Sequence, residues 1–372
     1  MSAPQMAPHA GGPTLRQKAA VRVWLWLMAA LVFAMIVVGG ATRLTDSGLS
    51  ITEWQPLLGA IPPLNEADWM AAFEKYRQIP QYQQVNKGMS LSEFQFIYWW
   101  EWAHRFLGRF IGIAFALPLL FFWVRRYLPR GMTLKLSGVL ALGGLQGFIG
   151  WYMVSSGLVE RIDVSQYRLA LHLTVAFLIL ALIVWLALEL LPERTQVRLR
   201  TITAGQRRFT LVLLGLIVLQ TVLGGFVAGL NAGLTYNTWP LMDGQIIPNG
   251  LVTLSPWYLN LFENITTVQF NHRMVAYIIC VAVIVQAVWV EQTADDERLV
   301  RSARWLGLAV LAQAALGIWT LLMVVPLSLG LAHQGGAAIV LMIAVWHAHH
   351  VMRAPQAADV SVGGYSPKPS MS

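Results

Sequence analysis

Long apolar segments separated by short polar loops dominate this sequence. A helix that crosses a bilayer needs roughly 20 mostly apolar residues. None of the segments of that length alternates apolar and polar residues with the period of two that a barrel strand requires. Since backbone polar groups in lipid must be satisfied within helices or a closed barrel, the pattern predicts an all-α integral membrane protein with eight transmembrane helices. The segments are 23–41, 104–124, 136–156, 169–191, 209–229, 272–290, 305–324 and 328–348.

The composition agrees with a membrane protein. Of the 372 residues, 56% are hydrophobic and 12% charged, whereas a soluble domain carries about a quarter charged residues. The net charge of +8 does not indicate nucleic-acid binding, because the basic residues lie in short loops between apolar segments. The single cysteine, Cys280, excludes an intramolecular disulfide. We therefore expect membrane lipid as the surroundings and no nucleic-acid partner.

The distribution of Lys and Arg predicts which loops are cytoplasmic. Basic residues concentrate in the tail before the first segment and in the loops after the second, fourth and sixth. The 230–271 loop contains neither Lys nor Arg. Both termini are therefore predicted to be cytoplasmic, and the 42–103 and 230–271 loops are predicted to face the outer side.

The two halves of the chain repeat one another. Residues 39–54 align without gaps on residues 224–239, and His104-Arg105 matches His272-Arg273. Gln146-x-x-x-Gly150 likewise matches Gln313-x-x-x-Gly317. Each half has four apolar segments, and an even number returns the chain to its starting side. The halves should therefore be parallel repeats about an axis along the membrane normal.

This repeat predicts two four-helix bundles. They are flanked and joined by polar segments that we expect on the cytoplasmic side. The predicted organisation is a tail at 1–21, an N-terminal bundle at 22–191, a connector at 192–208, a C-terminal bundle at 209–350 and a flexible tail at 351–372.

Histidines are the candidate functional residues. The even-numbered segments carry His104, His172, His272 and His333, and each is expected within about two turns of the outer end of its helix. A lone intramembrane histidine is more often a hydrogen-bonded core residue, but ionisable residues in spans are rare and the repeat strengthens the functional interpretation. Three further histidines near the cytoplasmic end of the last segment are expected to be interfacial: His347, His349 and His350.

Two imidazoles that face each other across a bundle favour haem over other metal sites. Zinc usually has three or four ligands, and di-iron sites need Glu-x-x-His on two helices. Haem iron needs one or two axial ligands, and imidazole is a common one. We therefore expect haem iron between His104 and His172, and again between His272 and His333. Arg105 and Arg273 are candidate contacts for haem propionates, although snorkelling at helix ends explains them equally well.

Glu101 distinguishes the two halves. It lies three residues before His104 and shares its helical face, whereas the second half has the neutral Gln269 at the matching position. A simpler explanation is that Glu101 pairs with Arg105 at i,i+4 and complements the dipole of the helix N-terminus. The difference predicts chemistry in the N-terminal half and a redox cofactor in the C-terminal half.

These motifs resemble those of the haem A synthase family. The motifs are Thr42-Arg-Leu-Thr-x-Ser-Gly-Leu-Ser-Ile-Thr-Glu-Trp54, Glu101-Trp-Ala-His-Arg105, Phe270-Asn-His-Arg-Met274 and the histidines of the fourth and eighth segments. The resemblance implies oxidation of the C8 methyl of haem O to a formyl group by two successive hydroxylations, with water as the oxygen source. It implies haem B as cofactor, held by His272 and His333. His104 and His172 would hold the substrate haem, and Glu101 would be the catalytic carboxylate.

The same resemblance implies a location and partners. The location is a cell inner membrane, or the mitochondrial inner membrane in a eukaryote. Haem O synthase and terminal oxidase assembly factors are candidate partners, and a homo-oligomer is a candidate assembly, whereas the electron acceptor is unknown. The chain lacks the outer-loop cysteine pairs of some family members, which is typical of the proteobacterial or mitochondrial type.

Two other functions compete with this interpretation. A diheme b-type cytochrome that exchanges electrons with quinone would also need paired histidines, but it leaves the difference between Glu101 and Gln269 unexplained. A transporter built from repeats is disfavoured, because transporters bind substrate near the bilayer midplane and these histidines lie near one face.

Overall fold

The computed structural model describes residues 12–54, 58–158, 162–192 and 202–354. Parts of both predicted tails and of the predicted connector lie outside these ranges. Within them, the chain is built from helices and loops, with one isolated antiparallel bridge between Met242 and Gln245. The α-helices are α1 (Leu15–Leu44), α2 (Glu66–Arg77), α3 (Pro80–Gln84), α4 (Leu91–Val124), α5 (Met132–Gly157), α6 (Gln166–Glu189), α7 (Ala204–Gly229), α8 (Asn260–Glu263), α9 (Ile265–Thr293), α10 (Glu297–Leu322) and α11 (Leu327–Arg353). Three 3₁₀ turns lie at Leu58–Ala60, Ala232–Leu234 and Trp257–Leu259.

Among the described residues, eight helices are long and apolar enough to cross a membrane: α1, α4, α5, α6, α7, α9, α10 and α11. The predicted all-α fold with eight transmembrane helices is confirmed. All eight helices begin before the corresponding apolar segment, and five of them begin at a side-chain cap within the polar flank. The Ser90 hydroxyl of α4, for example, accepts from the Glu93 amide while the Glu93 side chain accepts from the Ser90 amide.

Each half of the chain arranges its four long helices around a common centre. In the first half, α1 and α5 each contact both α4 and α6, and in the second half α7 and α10 each contact both α9 and α11. The two halves meet along α1, α6, α7 and α11. A continuous apolar core runs through this junction and includes Leu25, Leu180 and Leu341.

Two glycines let α6 and α7 approach closely at the junction. A Cβ atom on Gly225 would lie 2.8 Å from Ala170 Cα, and one on Gly229 would lie 2.6 Å from Gln166 Cα. Both distances are shorter than a carbon–carbon contact allows. In membranes, such small residues four positions apart allow neighbouring backbones to pack against each other.

Arg43, at the end of α1, joins the two halves at the opposite end of the molecule from the chain ends. Its Nη2 donates to Asp163 Oδ2 at 2.8 Å in the first half, and to Asn231 Oδ1 at 3.0 Å and the Ala228 carbonyl at 3.2 Å in the second. Ala228 is the residue that the sequence repeat aligns with Arg43. The contact therefore joins corresponding positions of the two halves.

The start of α1 and the ends of α6 and α11 lie on one side of the bundle. Arg22 Nη1 donates to the Leu190 carbonyl at 3.4 Å, and Arg353 Nη2 donates to the Glu189 carbonyl at 3.3 Å. The chain therefore enters and leaves the bundle on the same side. That this side is cytoplasmic stays a prediction from the charge pattern.

The loop between α1 and α4, the first of the two that the charge pattern predicts to be outer loops, folds into a helical cap over the N-terminal half. Helix α2 packs on the first turns of α4, where Phe94, Ile97 and Tyr98 are buried. The Tyr76 hydroxyl donates to Gln81 Oε1 at 3.0 Å, and burial raises the pKa of Tyr76. Gln81 Nε2 in turn donates to the Asp46 carbonyl at 3.0 Å, which attaches the cap to the end of α1.

We expect Gly229→Val to destabilise the protein because a valine side chain has no space between α6 and α7. Overpacking a close contact typically costs about 1–3 kcal/mol. Gly215→Val, on the same helix but with no atom within 4 Å of the added Cβ, is the control. Thermal unfolding in detergent should show a lower midpoint for Gly229→Val than for Gly215→Val. Equal midpoints would contradict the close approach.

Candidate haem-binding site

The structure places three of the four intramembrane histidines where the sequence predicts them. His172, His272 and His333 lie six or seven residues after the first residue of α6, α9 and α11, which is within two turns of those helix ends. The prediction is wrong for His104, which lies thirteen residues after Leu91, or about 20 Å along α4. Helix α4 projects further because its first turns form part of the cap.

In the N-terminal half, His104 and His172 face each other. Their ring centroids are 6.4 Å apart and the ring planes are nearly perpendicular, at 84°. His172 Nδ1 is buried and has no hydrogen-bond partner among the described residues. Buried polar atoms nearly always have a partner, so an unpaired ring nitrogen beside a second imidazole is typical of a ligand-binding position.

A glycine of the neighbouring helix lies against each of the four imidazoles. An added Cβ would come within 3.3 Å of the ring in every case, so these positions have no space for a side chain. The four contacts are Gly39 of α1 with His104 at 3.1 Å, Gly150 of α5 with His172 at 3.0 Å, Gly224 of α7 with His272 at 3.3 Å, and Gly317 of α10 with His333 at 2.6 Å.

The N-terminal pair of histidines fits haem iron. If both imidazoles bound one iron, each through a nitrogen at about 2 Å, their ring centroids would be separated by two such bonds and two ring radii. That sum is close to the observed distance of 6.4 Å. In the part of the chain that the structure describes, no group of three His, Cys, Asp or Glu side chains converges on one point. The facing pair of His104 and His172 has the number of protein ligands that haem iron needs.

In the C-terminal half, glutamines contact the histidine rings. Gln220 Nε2 lies 3.1 Å from His272 Nδ1, and Gln313 Nε2 lies 3.0 Å from His333 Nδ1. In the sequence, Gln313 stands out only as a marker of the repeat, and Gln220 is not predicted. A usable signal was present, because Gln220 precedes Gly224 by the same four residues that separate Gln313 from Gly317.

Arg105 and Arg273 hold the outer loops onto the helices in equivalent ways. Arg105 donates to the carbonyls of Ile51 at 2.8 Å and Glu53 at 3.1 Å. Arg273 donates to the carbonyls of Tyr236 at 2.7 Å and Thr238 at 2.9 Å. The acceptors of the second half follow those of the first by 185 residues, the offset of the sequence repeat. These loop contacts are the observed role of both arginines, and contact with a haem propionate stays a prediction.

Glu101 is buried and fully bonded to the cap and to Arg105. Its Oε1 accepts from Arg105 Nε at 3.0 Å and Nη2 at 2.6 Å. Its Oε2 accepts from the Ser50 hydroxyl at 2.8 Å and the Ile51 amide at 2.7 Å. The expected ion pair with Arg105 is thus present. The expected dipole contribution is wrong, because Glu101 lies ten residues inside α4 and the dipole effect is confined to the first turn.

Gln269 takes the place of Glu101 in the second half, but it donates hydrogen bonds to its loop whereas Glu101 accepts them from its loop. Its Nε2 donates to the carbonyls of Ala232 at 2.7 Å and Thr235 at 2.6 Å, and its Oε1 accepts from Arg273 at 2.8 Å. The amide therefore fixes the second loop without a charge. Among the residues that the structure describes, only the first half has a buried carboxylate at this position of the repeat.

The expectation for the histidines at the end of α11 is wrong for two of them. His347 and His349 are 0% and 2% exposed, so neither lies at an interface with solvent. His347 lies 2.9 Å from both Gln286 Nε2 and the Ser302 hydroxyl. His349 packs edge-on against Trp185, with ring centroids 5.2 Å apart. The end of α11 is buried because α6 and α10 cover it, which the polarity of its sequence does not reveal.

Comparison with known proteins identifies the family. The model of the cytochrome oxidase assembly protein family matches residues 22–345. The chain belongs to this family. A haem A synthase of Parvibaculum lavamentivorans is 54% identical over 334 residues, which cover 90% of this chain and 95% of the relative. Haem A synthases of Chelativorans sp. and Brucella ovis are each 54% identical over 332 residues, covering 89% of this chain and 91% and 92% of the relatives.

We expect Arg273→Gln to loosen the second outer loop, because two loop carbonyls lose their donor. Leaving a buried acceptor unsatisfied costs about 1–3 kcal/mol. Hydrogen exchange measured by mass spectrometry should be at least about tenfold faster around Tyr236 and Thr238. Arg301→Gln, which removes an exposed ion pair with Glu297, is the control. Unchanged exchange in Arg273→Gln would show that the loop is held by other contacts.

Proposed function

We propose that this protein is a haem A synthase that oxidises the C8 methyl of haem O to a formyl group. The observation that carries the proposal is the pairing of His104 and His172, 6.4 Å apart, with the buried Glu101 one helical turn away. Membership of a family whose curated members are named haem A synthase supports the same reaction. Haem O is the substrate, and His104 and His172 bind its iron.

The overall reaction defines what the site must handle. Conversion of a methyl group and one water to a formyl group releases four electrons and four protons, in two successive hydroxylations through a hydroxymethyl stage. The oxygen comes from water. The enzyme therefore has to hold the porphyrin, admit water to one methyl group and accept protons beside it, which makes it an oxidoreductase acting on a CH group.

Glu101 is the proposed catalytic carboxylate. It is held on the outer side of His104 by Arg105, Ser50 and the Ile51 amide, so its orientation is fixed before substrate binds. A positioned carboxylate can take a proton from attacking water or stabilise positive charge on the substrate, which typically contributes 10²–10⁴-fold. The cap helices that cover this end of the bundle limit the entry of bulk water.

The second half is proposed to hold haem B. His272 and His333 would bind its iron, and Gln220 and Gln313 lie beside their rings. Haem B would supply a one-electron redox centre whose potential depends on its axial ligands and burial. The neutral Gln269 at the position of Glu101 agrees with a cofactor that is not itself chemically altered.

The proposed setting follows from the same assignment. The eight apolar helices make this a multi-pass membrane protein, and we place it in the cell inner membrane with both termini cytoplasmic. Haem O synthase and terminal oxidase assembly factors are its proposed partners. Arg105 and Arg273 are proposed to reach haem propionates through donor positions that the loop carbonyls do not use.

Glu101→Gln should reduce conversion of haem O by at least about 100-fold while both haem sites stay loaded, because it removes the base and keeps the size of the side chain. Cells that supply haem O are used to express the protein, and extracted pigments are separated by chromatography. Accumulation of the hydroxymethyl product would locate the block at the second hydroxylation.

Ser50→Ala is the matched control for Glu101→Gln. It removes one hydrogen bond to Glu101 and leaves the carboxylate and its ion pair in place. Its conversion should stay within about tenfold of the wild type, which corresponds to one hydrogen bond. Full activity of Glu101→Gln would exclude Glu101 as the base. Haem O returned unchanged by the wild type would instead favour a diheme cytochrome.

His272→Leu and His333→Leu should each abolish the low-spin b-type signal in a reduced-minus-oxidised spectrum, because each removes one axial ligand of haem B. His104→Leu should keep that signal and lose substrate haem. Loss of the b-type signal in His104→Leu, with its retention in His272→Leu, would reverse the assignment of the two halves.

A further inference from the structure

Three of the four histidines accept a hydrogen bond from a glutamine side chain of a neighbouring helix. In each case this is the helix whose glycine contacts the imidazole ring, and the glutamine lies four residues before that glycine. The acceptor is the backbone carbonyl of the histidine itself. The contacts are Gln146 Nε2 to the His172 carbonyl at 2.9 Å, Gln220 Nε2 to the His272 carbonyl at 3.0 Å, and Gln313 Nε2 to the His333 carbonyl at 2.7 Å.

His104 is the exception. The sequence repeat aligns Gly39 with Gly224, so the residue that corresponds to Gln220 is Met35. Its methyl group would lie 3.4 Å from a Cβ on Gly108, one turn after His104. A thioether has no N–H group and cannot donate to a carbonyl. Helix α4 is bonded to α1 elsewhere, by Trp24 Nε1 to the Ala114 carbonyl at 3.0 Å and by the Thr42 hydroxyl to the Trp100 carbonyl at 3.3 Å. At His104 itself, however, it contacts a flexible apolar side chain where the other three helices meet an amide donor.

These amides restrict how a histidine can move. A helix whose carbonyl is bonded to its neighbour cannot slide or rotate there without breaking that bond, and lipid offers no replacement donor. In the second half the same amide nitrogens also lie 3.1 Å from His272 Nδ1 and 3.0 Å from His333 Nδ1. An amide N–H can donate only to an unprotonated ring nitrogen, so the positioning role rests on the bonds to the backbone carbonyls. Partners of this kind typically change metal affinity by 10–100-fold when they are removed.

We propose that Gln220, Gln313 and Gln146 are positioning residues that hold three haem ligands in place, and that Met35 leaves His104 as the one adjustable ligand. This inference rests on the proposed function, since it explains how one chain keeps haem B permanently and yet exchanges a substrate haem. The C-terminal pair has two amides and retains its haem. The N-terminal pair has one, and substrate enters and product leaves by movement of the His104 side chain.

The test measures haem loss without turnover. Purified protein loaded with haem B in its C-terminal half is mixed with excess apomyoglobin, which captures released haem, and the midpoint potential is recorded separately. Gln220→Leu and Gln313→Leu should each lose haem about 10–100-fold faster. They should also shift the midpoint potential, because the ligand rings gain freedom.

Gln334→Leu is the matched control. Gln334 also donates a cross-helix bond, from its Nε2 to the Ile36 carbonyl at 2.7 Å, and it adjoins His333 in sequence without bonding to any of the four histidines. It should lower the unfolding temperature and leave the haem loss rate and the potential unchanged. If Gln220→Leu and Gln313→Leu behave like Gln334→Leu, the positioning role is overturned.

Met35→Gln tests the other half of the proposal. An amide at this position should slow the loss of haem O from the N-terminal half by about tenfold, with no change in the b-type signal. Equal loss rates in Met35→Gln and the wild type would overturn the adjustable role of His104. A wild type that binds no haem would overturn the proposed function itself, which separates the two failures.

Discussion

Polar groups inside a membrane must find their partners within the protein, because lipid offers none. In this chain the partners are largely backbone carbonyls of a neighbouring helix or loop. Gln146, Gln313 and Gln334 donate across helix pairs, and Arg273 donates to an outer loop. Each such bond fixes the position of one helix or loop along its neighbour. The histidines lie on helices that are aligned in this way.

The same framework, used twice, leads to two different sites. Both halves have a glycine against each imidazole and an arginine that holds an outer loop. They differ at two pairs of corresponding positions where the side chains have similar sizes but different chemistry. Glu101 of the first half corresponds to Gln269 and places a charge beside the first site. Met35 of the first half corresponds to Gln220 and lacks the hydrogen-bond donor that Gln220 has. Under the proposed function, these two differences would make the first half the one that reacts with its haem and exchanges it.

The sequence predicted the parts of this structure that follow from periodic or repeated patterns. The eight helices and the facing of His104 and His172 could be predicted, since apolar length and a gapless repeat are local signals. The bonding of Glu101 to Ser50 and Ile51 could not, because the fold of the cap decides which loop atoms reach it. The position of His104 within α4 and the burial of His347 were mispredicted for a related reason. Polarity marks the edge of an apolar segment, whereas caps and covering helices decide where a helix begins and what it buries.

The contact between Arg43 and the Ala228 carbonyl joins a residue to the one that the sequence repeat aligns with it. If the two halves were identical, the same side chain would occur at both positions. Two arginines would then lie side by side, with mutual repulsion in place of the present hydrogen bonds. Because the halves differ at this position, one supplies a charged donor and the other supplies only a backbone acceptor, and a hydrogen bond joins them.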